Sequence, residues 1–246
     1  MSDTFASRAE AGTHSSGTVR ILVWDAPVRV FHWLMVVSFA GAWLTAESER
    51  WRLLHVTLGY TMLGLVAFRV LWGLAGTRYA RFAAFVRSPV VVARYLAGLI
   101  KGRPDRYVGH NPAGAIAILA MLLMTCAVGA TGWAAYAGAG GEWFEELHEG
   151  MANAMLALVI VHVVAVVLSS LLHRENLIRA MVTGYKSGRV GEGIGSAHRV
   201  IAALVIAGAG VWWWTQWHAA PPTQAASPAA GQVAPAHANG GDRDGD

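Results

Sequence analysis

The sequence predicts an all-α integral membrane protein with five transmembrane helices, and three observations carry that prediction. Apolar residues make up 55% of the 246-residue chain and charged residues only 14%, with a mean hydropathy of +0.42, whereas soluble domains carry about a quarter charged residues. Five stretches reach or approach the roughly 20 apolar residues that cross a bilayer as a helix. The Lys and Arg residues are sorted by loop, as in a multi-pass membrane protein. That sorting also explains the net charge of +4 and the pI near 9.6 without invoking nucleic acid.

In chain order the predicted spans cover about Val30–Ala46, Leu53–Leu74, Ala113–Ala135, Leu147–Leu172 and Val200–Trp217. Backbone groups in lipid must bond within their own segment, and the alternation of barrel strands is absent, so the spans are helices. Sixteen Lys and Arg fall in the N-terminal arm, the second-to-third loop and the fourth-to-fifth loop, counting Arg69 near the inner end of the second span, against Arg50, Arg52 and Arg243 on the other side. This predicts a cytoplasmic N-terminus and a periplasmic C-terminus. Trp43, Trp51, Trp133, Trp143 and the cluster Trp212, Trp213, Trp214 and Trp217 then form an outer aromatic belt.

The remaining segments follow by composition. Residues 1–19 are polar and read as a disordered cytoplasmic arm, so the first span is an anchor rather than a cleaved leader. Arg78–Arg106 mixes apolar residues with evenly placed arginines, a pattern for a helix on anionic headgroups. Residues 191–218 hold the fifth span, and 219–246, rich in Ala, Pro and Gly, read as a flexible periplasmic tail. The single cysteine, Cys126, excludes an internal disulfide, a CxxC zinc site and a CxxCH haem attachment. It is expected to be a small packing residue, and Gly59 and Gly64 are expected to admit a close neighbour or a porphyrin.

Ionisable residues within membrane helices are rare and usually functional, and four histidines lie in or at the edge of spans: His32, His55, His148 and His162. His148 and His162 are 14 residues apart, nearly four turns, and so share a helix face at a separation of about 21 Å. That suits two cofactors stacked across the bilayer better than one shared site. Helices two and four both enter from outside, so His55 matches His148 in depth. Helix one enters from the cytoplasm, which matches His32 with His162. Each pair offers two imidazoles from different helices, as bis-histidine ligation of a haem iron requires. His173 lies about 16 Å deeper than His162, beyond His32. Haem propionates need cationic partners; Arg69, 14 residues after His55, and Arg29, just before His32, are the candidates, the other reading being snorkelling to headgroups. His110 and His198 are expected in structural or headgroup roles.

The runs WDAPVRVFHW (Trp24–Trp33), HVTLG (His55–Gly59), RVLWGLAG (Arg69–Gly76), YARF (Tyr79–Phe82), GHNPAGA (Gly109–Ala115), HEGMAN (His148–Asn153) with His162 downstream, and ENLIRAMVTGYKSG (Glu175–Gly188) resemble the bacterial cytochrome b561 and nickel–iron hydrogenase b-type cytochrome family. The resemblance covers about residues 19–190. It implies a four-helix transmembrane haem-binding bundle over residues 20–190 holding two haem b groups, with ligands at His32, His55, His148 and His162, in agreement with the depth pairing. The fifth C-terminal transmembrane helix resembles a feature of the hydrogenase-type branch.

Two bis-histidine irons have no open position, which favours electron transfer over oxygen chemistry. The expected role is therefore that of an electron-transfer cytochrome subunit of a respiratory chain in the bacterial inner membrane. By the resemblance it links a periplasmic hydrogenase or c-type cytochrome to the quinone pool, and it admits a homodimer. The acidic outer loop of Glu142, Glu145, Glu146 and Glu149 could dock a basic partner or simply be solvated. Two rivals differ in class. One is a b561-type oxidoreductase acting directly on a small substrate such as superoxide, which the acidic outer loop disfavours. The other is a haem-free transport or assembly protein, for which the expected inverted repeats are missing from the sequence.

Overall fold

The computed structural model describes residues 18–102 and 105–219, and the sequence readings for 1–17 and 220–246 lie outside the described residues. Five helices are long and apolar enough to cross a membrane: α1 (Ala26–Thr45), α2 (Arg52–Ala75, entered through a 3-10 turn at Glu49–Trp51), α5 (Pro112–Tyr136), α6 (Glu142–His173) and α8 (Arg199–Ala219). Their centres coincide with the predicted spans. Between them lie α3 (Phe82–Phe85), α4 (Pro89–Ile100), α7 (Leu177–Thr183) and β2 (Tyr185–Gly188), which forms a short antiparallel ribbon with β1 (Val19–Leu22), ahead of α1.

Local chemistry sets the helix starts. Asp25 caps α1 by accepting the Val28 N–H at 2.8 Å, with Pro27 in the first turn. Asn111 does the same for α5, accepting from Gly114 N–H at 2.7 Å ahead of Pro112. Both follow the usual preference for a short polar cap followed by proline, whose missing N–H is no loss there.

The helices assemble as two hairpins. α1 packs on α2, and α5 on α6; the hairpins meet through α2 and α5, while α6 makes no extended packing with α1 or α2. The fifth span, α8, lies outside this bundle against α1 and α2. Trp212 Nε1 donates to the Thr57 carbonyl at 3.3 Å, and Trp213 Nε1 to Thr61 Oγ1 at 2.9 Å. The Trp213 ring also packs on the cluster of Ala42, Leu58 and Met62.

The end of the bundle where α1 begins and α2 finishes is closed by the ribbon and is called the capped end. β1 pairs with β2 in the register Val19 to Gly188 and Leu22 to Tyr185. Ile21, Val23, Trp24 and Ala180 bury their side chains beneath it. Gly184, at φ +87°, ends α7 and accepts the N–H groups of Val23 and Trp24 through its carbonyl; a Cβ there would stand 2.6 Å from the Trp24 carbonyl oxygen. Lys186 pairs with Glu175 at 3.1 Å. Asp25, fully buried, also accepts from Trp72 Nε1 at 3.0 Å and Thr77 Oγ1 at 2.6 Å, joining the start of α1 to the end of α2.

Four expectations are corrected. The segment Arg78–Arg106 is two helices rather than one, because Ser88 precedes Pro89 and the helical conformation is disfavoured there. The acidic stretch Glu142–Glu149 is helical, forming the first turns of α6, where carboxylates are favoured by the helix dipole. Cys126 is exposed rather than packed. Gly59 and Gly64 admit no close neighbour from another part of the protein, which leaves the porphyrin half of that expectation; span glycines that do admit one include Gly41 beside Leu58, Gly73 beside Phe82, Gly129 beside Leu63 and Gly132 beside His148.

Candidate functional site

The four span histidines are half-buried and fall at two levels. At the open end, opposite the cap, His55 in the first turn of α2 faces His148 in the second turn of α6. Their ring centres are 6.1 Å apart and their planes stand at 84°. The His55 Nδ1–H donates to the Ala42 carbonyl on α1 at 2.8 Å. The His148 Nδ1–H donates to the Val128 carbonyl on α5 at 3.0 Å, with Thr131 Oγ1 3.4 Å away. Such bonds fix both tautomers and leave each Nε2 with its lone pair free. His148 can seat against α5 because residue 132 is glycine: a Cβ there would lie 2.8 Å from the ring.

This geometry can be tested against a metal held between the rings. A metal–imidazole bond of about 2 Å, plus about 1.2 Å from nitrogen to ring centre on each side, would separate two imidazoles facing each other across a metal by about 6.4 Å. The observed spacing fits. Among the described residues no group of three or more His, Cys, Asp or Glu side chains could hold a metal ion. Two histidines therefore suit a metal whose other ligands belong to a prosthetic group. The separation of α6 from α1 and α2 suits one too, since the facing rings bridge helices that do not otherwise pack.

Toward the capped end, His32 lies six residues into α1 and His162 lies on α6, 14 residues beyond His148. They are within electrostatic reach of each other but farther apart than ring contact, and His32 Nδ1 is buried without a partner. His173 does not join them, because its Nδ1 bonds the Ser169 carbonyl of its own helix at 3.0 Å. Arg69 lies six residues from the end of α2, and so at the level of His32, 3% exposed and with Nη1 unpartnered. Arg29 is engaged differently: its guanidinium donates to the carbonyls of Val182 at 2.8 Å and Asp25 at 3.4 Å, tying α1 to α7.

His110 is the residue whose place the sequence reading missed. Its ring lies 4.4 Å from that of Trp24 and 4.8 Å from that of Phe85, with Nδ1 buried and unpartnered. Burial first, and then the nearby Arg69, Lys186 and His162, lower its pKa to about 3, so the ring is neutral. The available signal was its position in GHNPAGA, immediately before the Asn111 cap.

The sequence from Val23 to Gly184 matches the family described as prokaryotic cytochrome b561. The chain belongs to that family. Residues 23–184 include all four span histidines, Arg29, Arg69 and His110 and leave α8 outside. Curated relatives include the probable Ni/Fe-hydrogenase B-type cytochrome subunit of Cupriavidus necator, 26% identical over 67% of this chain and 86% of the relative. That of Azotobacter vinelandii is 28% identical over 68% and 88%. The probable Ni/Fe-hydrogenase 1 B-type cytochrome subunit of Escherichia coli K12 is 25% identical over 72% and 95%. No solved structure matches. As a member of the cytochrome b561 family the chain is a multi-pass membrane b-type cytochrome, an electron-transfer component whose prosthetic group is haem b.

Proposed function

We propose that this cytochrome holds two haems, one between His55 and His148 and one between His32 and His162, and carries electrons between a hydrogenase and the quinone pool. The observation that supports this most is the His55–His148 pair, spaced for an iron and fixed in tautomer from two different helices. The hydrogenase partner follows from the names of the relatives, with a c-type cytochrome as the other donor of suitable chemistry. Basic-residue sorting supports a bacterial inner membrane placement with the capped end cytoplasmic and the open end periplasmic. Residues 20–190 then form the haem domain, with α8 as an appended fifth span.

Haem b supplies a one-electron iron couple. His55 with His148, and His32 with His162, would each hold an iron by two nitrogen ligands and leave no coordination site for substrate. It orients those ligands at the open end through the backbone carbonyls of Ala42 and Val128. Two levels about 21 Å apart along α6 divide the bilayer crossing into shorter hops. Glu142, Glu145, Glu146 and Glu149 on the first turns of α6 offer an acidic rim beside the open-end pair for a basic docking patch.

A pyridine haemochrome assay on purified protein tests the reading, with His55→Ala and His162→Ala alongside. Two haems per chain are expected, each variant losing one. Haem absent from a folded preparation would sink the proposal.

A further inference from the structure

Arg69 is a buried guanidinium without a dedicated counter-ion. Asp25 acts on it electrostatically, but that carboxylate already accepts from Val28, Trp72 and Thr77. The other buried cation at this end, Lys186, has Glu175. Arg69 instead lies 4.9 Å from the Phe82 ring centre and 5.9 Å from that of Phe85, contacts that support a cation without neutralising it. Phe85 also touches His110, whose own Nδ1 is buried and unpartnered. An unmatched buried cation and an orphaned ring nitrogen are each costly, and here they occur within electrostatic reach of each other and of His162.

We infer that Arg69 and His110 together form a carboxylate receptor at the capped end, taking a propionate of the haem held by His32 and His162. Arg69 supplies the charge and a charge-assisted hydrogen bond; His110, kept neutral, donates from Nδ1. The inference rests on the two-haem reading and adds His110, a residue outside the ligand set, to it. It also has an electronic consequence. A buried cation favours the reduced iron, so the capped-end haem has the higher midpoint potential. The bonds from His55 and His148 to backbone carbonyls make those ligands more basic and lower the potential at the open end.

The test is a redox titration of the full-length holoprotein as Arg69→Met, Arg69→Lys and His110→Leu, with the two transitions assigned from the single haem left in His55→Ala. Arg69→Met is expected to lower the capped-end midpoint by at least about 59 mV, a tenfold change for a one-electron couple, with the open-end midpoint unmoved. Arg69→Lys restores most of the shift, and His110→Leu gives a smaller one of the same sign. Loss of only the capped-end haem from Arg69→Met, with retention in Arg69→Lys, supports the receptor equally. Unchanged haem content and potentials overturn it, and if haem reduction by a quinol is then slowed, the pair serves a quinone oxygen instead. Loss of both haems from both Arg69 variants also overturns it, as the result of a purely structural arginine. Each of these outcomes is distinct from failure of the two-haem reading, in which the unmodified chain holds fewer than two haems.

Discussion

The ring planes of His55 and His148 are crossed at 84°, with 6.1 Å between centres. With imidazole planes crossed in this way, the two iron d orbitals that overlap the porphyrin are left close in energy. If His55 and His148 hold a haem as proposed, its oxidised form is expected to give a strongly anisotropic low-spin electron paramagnetic resonance signal. A spectrum of His162→Ala, which retains only that haem, checks it; a rhombic signal typical of parallel planes would contradict the geometry.

Gly132→Ala acts on the same pair. The added methyl would lie 2.8 Å from the His148 ring, so the ring must turn or withdraw from the Val128 carbonyl. The expected outcome is loss or a shifted spectrum of the open-end haem, with the capped-end haem intact, read by haemochrome and low-temperature optical spectra. Gly59→Ala, where nothing in the protein stands within 4 Å, reports instead on how closely the porphyrin approaches α2.

The fifth span should contribute stability through Trp213. Trp213→Phe removes the bond to Thr61 and is expected to cost about 0.6 kcal/mol, the mean for interhelical hydrogen bonds in membranes. Trp213→Ala also removes the packing on Ala42, Leu58 and Met62 and should cost about 3–5 kcal/mol. Unfolding in detergent micelles measures both, and equal small losses would show that α8 is only loosely attached.

Asp25→Asn keeps the shape of the side chain but removes the charge, and an amide cannot accept from Val28, Trp72 and Thr77 as a carboxylate does. The expected destabilisation is about 2–4 kcal/mol, measured by the same unfolding assay. A near-neutral effect would mean that the α1 cap and the link to α2 are dispensable.

Gly184→Ala places a Cβ at φ +87° and against the Trp24 carbonyl. The backbone strain alone is worth about 1–2 kcal/mol. Faster hydrogen exchange at the amides of Val23 and Trp24, which bond the Gly184 carbonyl, should accompany it; unchanged protection there would refute the role given to this turn.

The spans were legible because hydropathy over 20 residues is a strong signal, and the depth matching of His55 with His148 needed only helix rise and direction. The ribbon was not legible. Val19–Leu22 and Tyr185–Gly188 are too short for a period of two to stand out, and they pair across a long separation in sequence. The acidic stretch reads as a loop from its charge alone, yet Glu142, Glu145, Glu146 and Glu149 recur at i, i+3, i+4 and i+7, one helical stripe, and it is helical in the fold. Counting turns from His55 places Arg69 on the His55 face toward the capped end, where the structure buries it. The setting of His110 was not legible, because the rings that enclose it, Trp24 and Phe85, come from distant parts of the chain.

The two helical hairpins touch chiefly through α2 and α5, with α6 held away from α1 and α2. A prosthetic group held from both hairpins, as proposed, would be the mortar between two halves of a wall. Ligand affinity in such a design is also assembly energy, because a group that binds only the joined form stabilises it by mass action. Membrane insertion can then deliver two independent hairpins first, and cofactor supply decides when they become one protein. On that reading, a cell starved of haem would hold the hairpins together only through α2, α5 and the ribbon, a looser form more open to its proteases.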